Sequence, residues 1–345
     1  MKIEVYSPTI RRKEMDAVLT ALVEDRIGPG EQTRLLIQIA REKLKFDYCM
    51  ALRSPATALF IGLKSLNLED GKGVVVSALS PRYYARVIED LRLVPLYCDV
   101  LPSSAVIGRE TVEKALASRP EGLDVRAVVL HHTLGYVPDT PAIAELGLPV
   151  IEDCSQSFGT VIAGIPAGNA GVFTIMGLEE RDMLTAGSGA LLYAANRRDA
   201  SVLRNLGELP PEYGLPDMNA AMGVVQFRES ARNLDKRREI AKIYIQAAMR
   251  TRHKQFVQSD TFEYNNYAFP LILETGMKDV KAYAKRKDIV VENAFENTLA
   301  ALEGFSPEQC PEAYSLSLRT ALFPLYPRLS GSETEKVSKL IVTLP

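Results

Sequence analysis

The sequence predicts an α/β protein with a mostly parallel central sheet covered by helices, followed by a smaller C-terminal α+β domain. Two observations carry this expectation. From Gly71 to Ala194, short apolar runs alternate with helix-like stretches, the pattern of strands joined by crossover helices. The runs are Val74 to Val76, Val94 to Tyr97, Ala127 to Leu130, Pro149 to Ile151, Val172 to Met176 and Ala190 to Tyr193. They are apolar throughout rather than alternating, as strands covered on both faces should be. Around Ser230 to Met249 the pattern then changes to one long amphipathic stretch, after which the clean alternation is lost.

Each element has a local reason. Ser54 to Leu66 places Leu59, Phe60, Leu63 and Leu66 at helical spacing, with Ser54 as N-cap and Pro55 at the first helical position. Ser80 and Pro81 repeat that device. Asp139, followed by TPAIAELG, starts a further helix that the glycine closes. In the long amphipathic stretch, Leu234, Ile240, Ala241, Tyr244, Ile245 and Ala248 form the apolar face. A boundary near Asn233 to Lys236 divides the chain into a large domain, 1–235, and a small one, 236–345. The small domain is expected to hold strands at Tyr267 to Leu273 and Ile289 to Val291 and a closing helix at Ser332 to Leu340.

Composition excludes several classes of function. Among 345 residues, 41 basic and 43 acidic side chains leave a formal charge of −2. That balance gives no electrostatic reason to expect nucleic acid or an anionic membrane as partner. The start, MKIEVYSPTIRRKEMD, lacks the apolar core of a signal peptide, and no later run approaches a membrane span. The expected location is the cytoplasm. Cys49, Cys98, Cys154 and Cys310 lie far apart with no C-x-x-C pair, so buried free thiols are expected. His131 and His132 are neighbours on a strand and therefore point to opposite faces; with His253 as the only other histidine, no zinc site is expected. The chain also lacks a nucleophile elbow, a Walker A loop and a G-x-G-x-x-G loop.

Asp153 and Gln156 are the candidate site residues. They follow the strand PVIE, in the run Glu152 to Gly159, and ligands of open α/β sheets sit beyond the carboxyl ends of strands. An aspartate there can pair with a protonated ring nitrogen, and the amide can hydrogen-bond a ring oxygen. Spacing alone favours a helix cap or loop carboxylate at Asp153 and a solvated amide at Gln156.

Taken together, the motifs resemble the DegT/StrS-type sugar aminotransferases, pyridoxal-phosphate enzymes of fold type I that act on nucleotide-linked keto sugars. The resemblance runs over nearly the whole chain. It includes SPTIRRKEMDAVLTALVEDRIGPGEQTRLLIQIAREKL, SPATALFIGLKSLNLEDGKGVVVSALS, VPLYCDV, HHTLGYVPDTPAIAELGLPVIEDCSQSFGTVIAGIPAGNAGVFTI, NAAMGVVQF and CPEAYSLSLRTALFPLYPRLSGSETEKVSKLI.

The resemblance implies a role for individual positions. Asp153 and Gln156 match the D-x-x-Q positions that engage the pyridine nitrogen and ring hydroxyl. Thr174 stands for the family's serine, whose hydroxyl binds phosphate. Ser54, Pro55 and Ala56 replace an S-G-T helix start, so a donor and a hydroxyl are lost, leaving the amides of Ala56 and Thr57 as a weak anion site. Pro81 stands where an aromatic ring stacks on the cofactor. Glu212 and Gly214 replace the Asn and Arg of a G-x-N-x-R loop that reaches the phosphate from the neighbouring subunit. A carboxylate there repels a phosphate by roughly 1 kcal/mol or more.

The Schiff-base lysine is the largest departure. A primary amine is needed to tether the cofactor and to move the proton. The matching stretch reads FTIMGLEERDMLTAGSGA, which puts Glu179 or Asp182, with Glu180 beside them, at the lysine position; no lysine occurs anywhere between Lys114 and Lys236. Nor does the histidine of sugar-deoxygenating relatives occur there. The expectation is an aminotransferase-like protein without transaminase activity and without a covalently bound cofactor, in a binding, regulatory or structural role. The alternative is a lysine-independent enzyme holding pyridoxal or pyridoxamine phosphate noncovalently through Asp153, Gln156, Thr174 and Ser54. The resemblance further implies a homodimer, and the vacated cleft implies a small anionic or sugar-nucleotide ligand.

Overall fold

A computed structural model describes residues 2–258 and 261–345. Two helices open the chain, α1 (Arg12–Val23) and α2 (Glu31–Leu44). The large sheet is then built from β1 (Tyr48–Leu52), α3 (Pro55–Ser65), β2 (Gly73–Ser77), α4 (Tyr83–Asp90), β3 (Val94–Cys98), α5 (Arg109–Ala117), β4 (Val125–His131), α6 (Thr140–Ala144) and β5 (Val150–Asp153). A small hairpin, β6 (Val161–Ile162) and β7 (Ile165–Pro166), precedes β8 (Phe173–Gly177), β9 (Ala190–Ala194) and α7 (Arg197–Arg204). The seven-stranded order is β1-β9-β8-β5-β4-β2-β3. β9 is antiparallel to both its neighbours, whereas β8, β5, β4, β2 and β3 pair in parallel.

All six apolar runs read from the sequence are strands of this sheet. Helices cover both faces: α3, α4 and α7 share one core with the sheet, while α2, α5 and α6 pack on the other side. Strand β1 was not anticipated, because YCMAL is too short and mixed to stand out beside its neighbours. Ser54 caps α3 with Pro55 at its start, and Asp139 caps α6, as expected. Gly147, at φ +80°, ends that turn. Ser80 and Pro81 do not act as a cap. α4 begins at Tyr83, Ser80 is buried with its hydroxyl unpaired, and Pro81 bridges to Thr298.

The amphipathic stretch belongs to a longer helix, α8 (Asp217–Ala248), which runs without interruption through the expected boundary at 235/236. Its first half, with Ala220, Val224 and Phe227, joins the large-domain core; its second half, with Ile240, Tyr244 and Ala248, joins the small-domain core. The small lobe adds β10 (Phe262–Glu263), β11 (Phe269–Ile272), α9 (Met277–Lys285), β12 (Glu292–Asn293), α10 (Pro311–Arg319), β13 (Thr320–Phe323) and α11 (Gly331–Val342). Of the two expected strands there, Tyr267 to Leu273 contains β11, whereas Ile289 to Val291 makes only a bridge from Ile289 to Ile3. Ile3 thereby enters the small-domain core, so the lobes are not divided by chain order alone. The four cysteines are free and buried. Among the described residues, no helix is long and apolar enough to cross a membrane.

Candidate functional site

Parallel strands deliver their C-terminal ends to one edge of the sheet, and Asp153 is the last residue of β5. Its carboxylate is almost completely buried. Oδ2 accepts the Tyr84 hydroxyl at 2.5 Å and lies 3.4 Å from that of Tyr83, while Oδ1 accepts the Ser155 amide at 3.0 Å and the Ser155 hydroxyl. His131 Nδ1, at 3.8 Å, is within electrostatic reach but beyond a hydrogen bond. Burial opposes ionisation. The His131 ring, the Ser155 hydroxyl and the Tyr84 hydroxyl outweigh it and bring Asp153 down to about 2.

The two histidines do point to opposite faces. His131 turns to Asp153, whereas His132 places Nε2 3.2 Å from Glu152 Oε2 and Nδ1 2.6 Å from Ser157 Oγ. No cluster of potential metal ligands occurs among the described residues.

The structure brings only part of the expected set together. Gln156 faces a cleft of about 220 Å³ between the lobes; its Oε1 accepts the Leu134 amide at 2.7 Å, which leaves the Nε2 donors available. Asp182 lines the same cleft. Thr174 does not belong to it. In register, Thr174 pairs with Glu152 and Ile175 with Asp153, so alternation turns Thr174 to the other face, where its hydroxyl donates to Gly168 O at 2.5 Å. At the start of α3, Ser54 Oγ takes the Thr57 amide at 3.1 Å and contacts the Thr57 hydroxyl at 2.9 Å. The anion donors expected there are therefore partly satisfied within the turn, while Ala56 packs against the core.

Around the lysine position, Glu179 Oε1 is 3.3 Å from Ser188 Oγ, whose hydroxyl also reaches Arg53 O. Glu180 is exposed and lies outside the cleft lining, and its carbonyl accepts the Tyr6 hydroxyl. Asp182 Oδ2 accepts the Glu179 amide at 2.8 Å. Only glycine fits at 177, because a Cβ there would collide with Asp182 Oδ2 and crowd Ser155 Oγ. Burial, reinforced by the charges of Asp153 and Glu179 against the favourable Glu179 amide, raises Asp182 to about 8. In the Pro210 to Gly214 loop, Arg53 Nε donates to Glu212 O at 2.9 Å and Gly214 bridges to Leu52.

Sequence reasoning missed Tyr83, Tyr84, Arg181 and Tyr267. Tyr267, Asp182 and Arg181 line the cleft with Glu292 to Thr298 of the small lobe. Arg181 is held by Glu292 at 2.8 Å through Nη1 and 3.4 Å through Nη2. The doublet Tyr83-Tyr84 was the available signal for the first pair: two aromatic rings opening the helix that follows β2.

A parallel sheet carrying an acid and an amide at its strand ends, closed by a small lobe that shares a helix with it, defines an aminotransferase-type fold. Solved structures agree at the level of fold. The aminotransferase TlmJ from Streptoalloteichus hindustanus superposes with a TM-score of 0.87 at 22% identity, over 98% of this chain and 97% of that one. A mutant GDP-4-keto-6-deoxymannose-3-dehydratase with bound GDP-perosamine gives 0.84 at 15%, over 98% and 100%. The chain belongs to the DegT/DnrJ/EryC1/StrS aminotransferase family, whose model matches residues 8–342. Among curated relatives, the dTDP-4-dehydro-2,3,6-trideoxy-D-glucose 4-aminotransferase of Saccharopolyspora spinosa is 27% identical over 273 residues, covering 70% of each chain.

Proposed function

We propose that this chain is a cytoplasmic member of the family that has left transaminase chemistry and works as a binding protein. One observation carries the reading: the Tyr84 hydroxyl sits 2.5 Å from Asp153 Oδ2, on the carboxylate that would otherwise meet a pyridinium nitrogen. The residues present do not fit pyridoxal phosphate. Asp153 already accepts three protein donors, the Thr57 amide is taken by Ser54, and the tethering position offers carboxylates where an amine is required. Mixing the purified chain with pyridoxal phosphate is expected to give no violet aldimine band, and borohydride no mass increment on any lysine. An aldimine fixed on a lysine by borohydride overturns the reading.

A second reading keeps an enzyme that holds pyridoxal or pyridoxamine phosphate noncovalently and acts on a nucleotide-linked keto sugar. Asp182 favours it, since a carboxyl that retains its proton near neutrality can serve as an acid. Calorimetric titration with pyridoxamine phosphate separates the two: micromolar or tighter affinity supports the enzyme, and no heat supports the binding protein.

The binding protein is proposed to act as a homodimer, because an interface built from apolar surface does not depend on turnover. Met15, Leu19, Leu22 and Val23 of α1 and Ile27 after it leave such surface exposed. Light scattering is expected to give about twice the chain mass at micromolar concentration; a monomer contradicts the proposal.

A further inference from the structure

We propose that the cleft between the lobes binds a small polyhydroxylated amine, with its ammonium group against Asp182, rather than a phosphate-bearing ligand. The inference rests on the reading above that no cofactor fills the site, and it departs from the anionic ligand that the family resemblance implies. Three features of the cleft support it.

The first is size. At about 220 Å³, the cavity falls below the roughly 300–1,000 Å³ of pockets that enclose drug-sized ligands. It suits a single sugar ring better than a sugar nucleotide.

The second is charge. The lining carries the carboxyls of Asp182, Glu292 and Glu296 against one guanidinium, Arg181, which Glu292 already holds. Arg82, which does not line the cavity, donates from Nη2 to the carbonyls of Glu296 and Ala301. The lining therefore carries more acid than base, which disfavours a phosphate.

The third is a set of unmet polar groups. Asp182 Oδ1 has no protein donor among the described residues, and Gln156 keeps its Nε2 donors. His131 is 4% exposed, lines the cavity, and has no hydrogen-bond partner at Nδ1. Asn297, Thr133 and Thr298 add groups suited to ligand hydroxyls, and Tyr267 adds an aromatic side chain to the lining.

Burial and neighbouring carboxylates favour the protonated form of Asp182. Asp153 and Glu179 act on Asp182 through their charges, and His131, Arg181, Glu292, Glu296, Tyr6, Tyr83 and Tyr267 are the other charged or titratable groups around it among the described residues. Because burial and the two carboxylates hold Asp182 near 8, an arriving ammonium replaces its proton. Binding therefore releases a proton near neutral pH and strengthens as pH rises toward that value, until the ligand amine itself loses its charge.

The test is calorimetry on the full chain with three probes, D-glucosamine, D-glucose and uridine diphosphate glucose, in two buffers of different ionisation heat. Glucosamine is expected to bind with release of up to about one proton. Glucose is expected to bind at least about tenfold more weakly and without proton release. Uridine diphosphate glucose is expected to give no heat. In Asp182→Asn the advantage of glucosamine over glucose disappears; if that variant does not fold, the proton count of the unmodified chain decides. No glucosamine binding, no proton release, or tighter binding of the nucleotide sugar each overturns the proposal. The titration contains no pyridoxal phosphate, so its failure leaves the loss of transaminase chemistry standing. An aldimine in the earlier assay would sink that reading whatever the amine does.

Discussion

Replacing Glu152 by alanine is expected to cost about 3–5 kcal/mol of folding stability, because it removes a buried carboxylate and strands the several donors that face it. Glu152 is almost wholly buried. Oε1 accepts the amides of Ala170 at 2.9 Å and Gly171 at 2.7 Å; Oε2 accepts the Thr140 hydroxyl at 2.8 Å and faces His132 at 3.2 Å. The side chain thus ties β5 to the start of α6 and to the turn that feeds β8. Burial works against the anion, but His132, the Gly171 amide and the Thr140 hydroxyl together hold the carboxyl below its ordinary value. A depressed folded value means that the contribution is complete above the ordinary carboxylate range and fades as acid protonates the folded protein. Urea unfolding of Glu152→Ala at neutral pH should show the midpoint lowered with an unchanged slope. A midpoint within error of the parent would contradict the assignment.

Asp217→Ala is expected to cost about 2–4 kcal/mol by the same measurement, through uncapping a helix and leaving buried donors unpaired. Asp217 belongs to α8 but serves α2. Its oxygens accept the amides of Gly30, Gln32 and Thr33 at 2.8–2.9 Å and the Thr33 hydroxyl at 2.7 Å. A carboxylate from another helix thereby satisfies the first turn of α2 and meets its dipole. Burial raises this carboxyl and the four donors lower it, with a net shift downward, so this contribution too is present at neutral pH and lost in acid. Asp217→Asn, which retains an acceptor oxygen, should recover part of the loss. Equal destabilisation by Ala and Asn would show that the charge and the second acceptor oxygen carry the whole effect.

The parallel core was legible because both faces of its strands are covered: GVVVS and VRAVVLH need no alternation, and only a doubly wound sheet buries such runs. Asp153 was legible because topology fixes where strand ends emerge. Thr174 was misplaced for a simple reason: likeness to a motif gives position along the strand, whereas the observed register gives the face. Tyr84 escaped notice because its partner is 69 residues away, and no local pattern reports that distance. The small-lobe wall of the cleft, Glu292 to Thr298, was legible only through the family resemblance, which makes Glu292 to Asn297 a substrate-contacting stretch; a turn with little regular structure carries no local pattern of its own.

The 32 residues of α8 act as a common axle. Because its Phe227 end and its Tyr244 end are gripped by different cores, the lobes cannot swing about a soft joint at the middle of that rod. Jaw-like closure would have to bend a continuous hydrogen-bonded helix. Recognition in the cleft accordingly depends on a preformed mould and on side chains that turn at its rim, so selectivity is set before the ligand arrives.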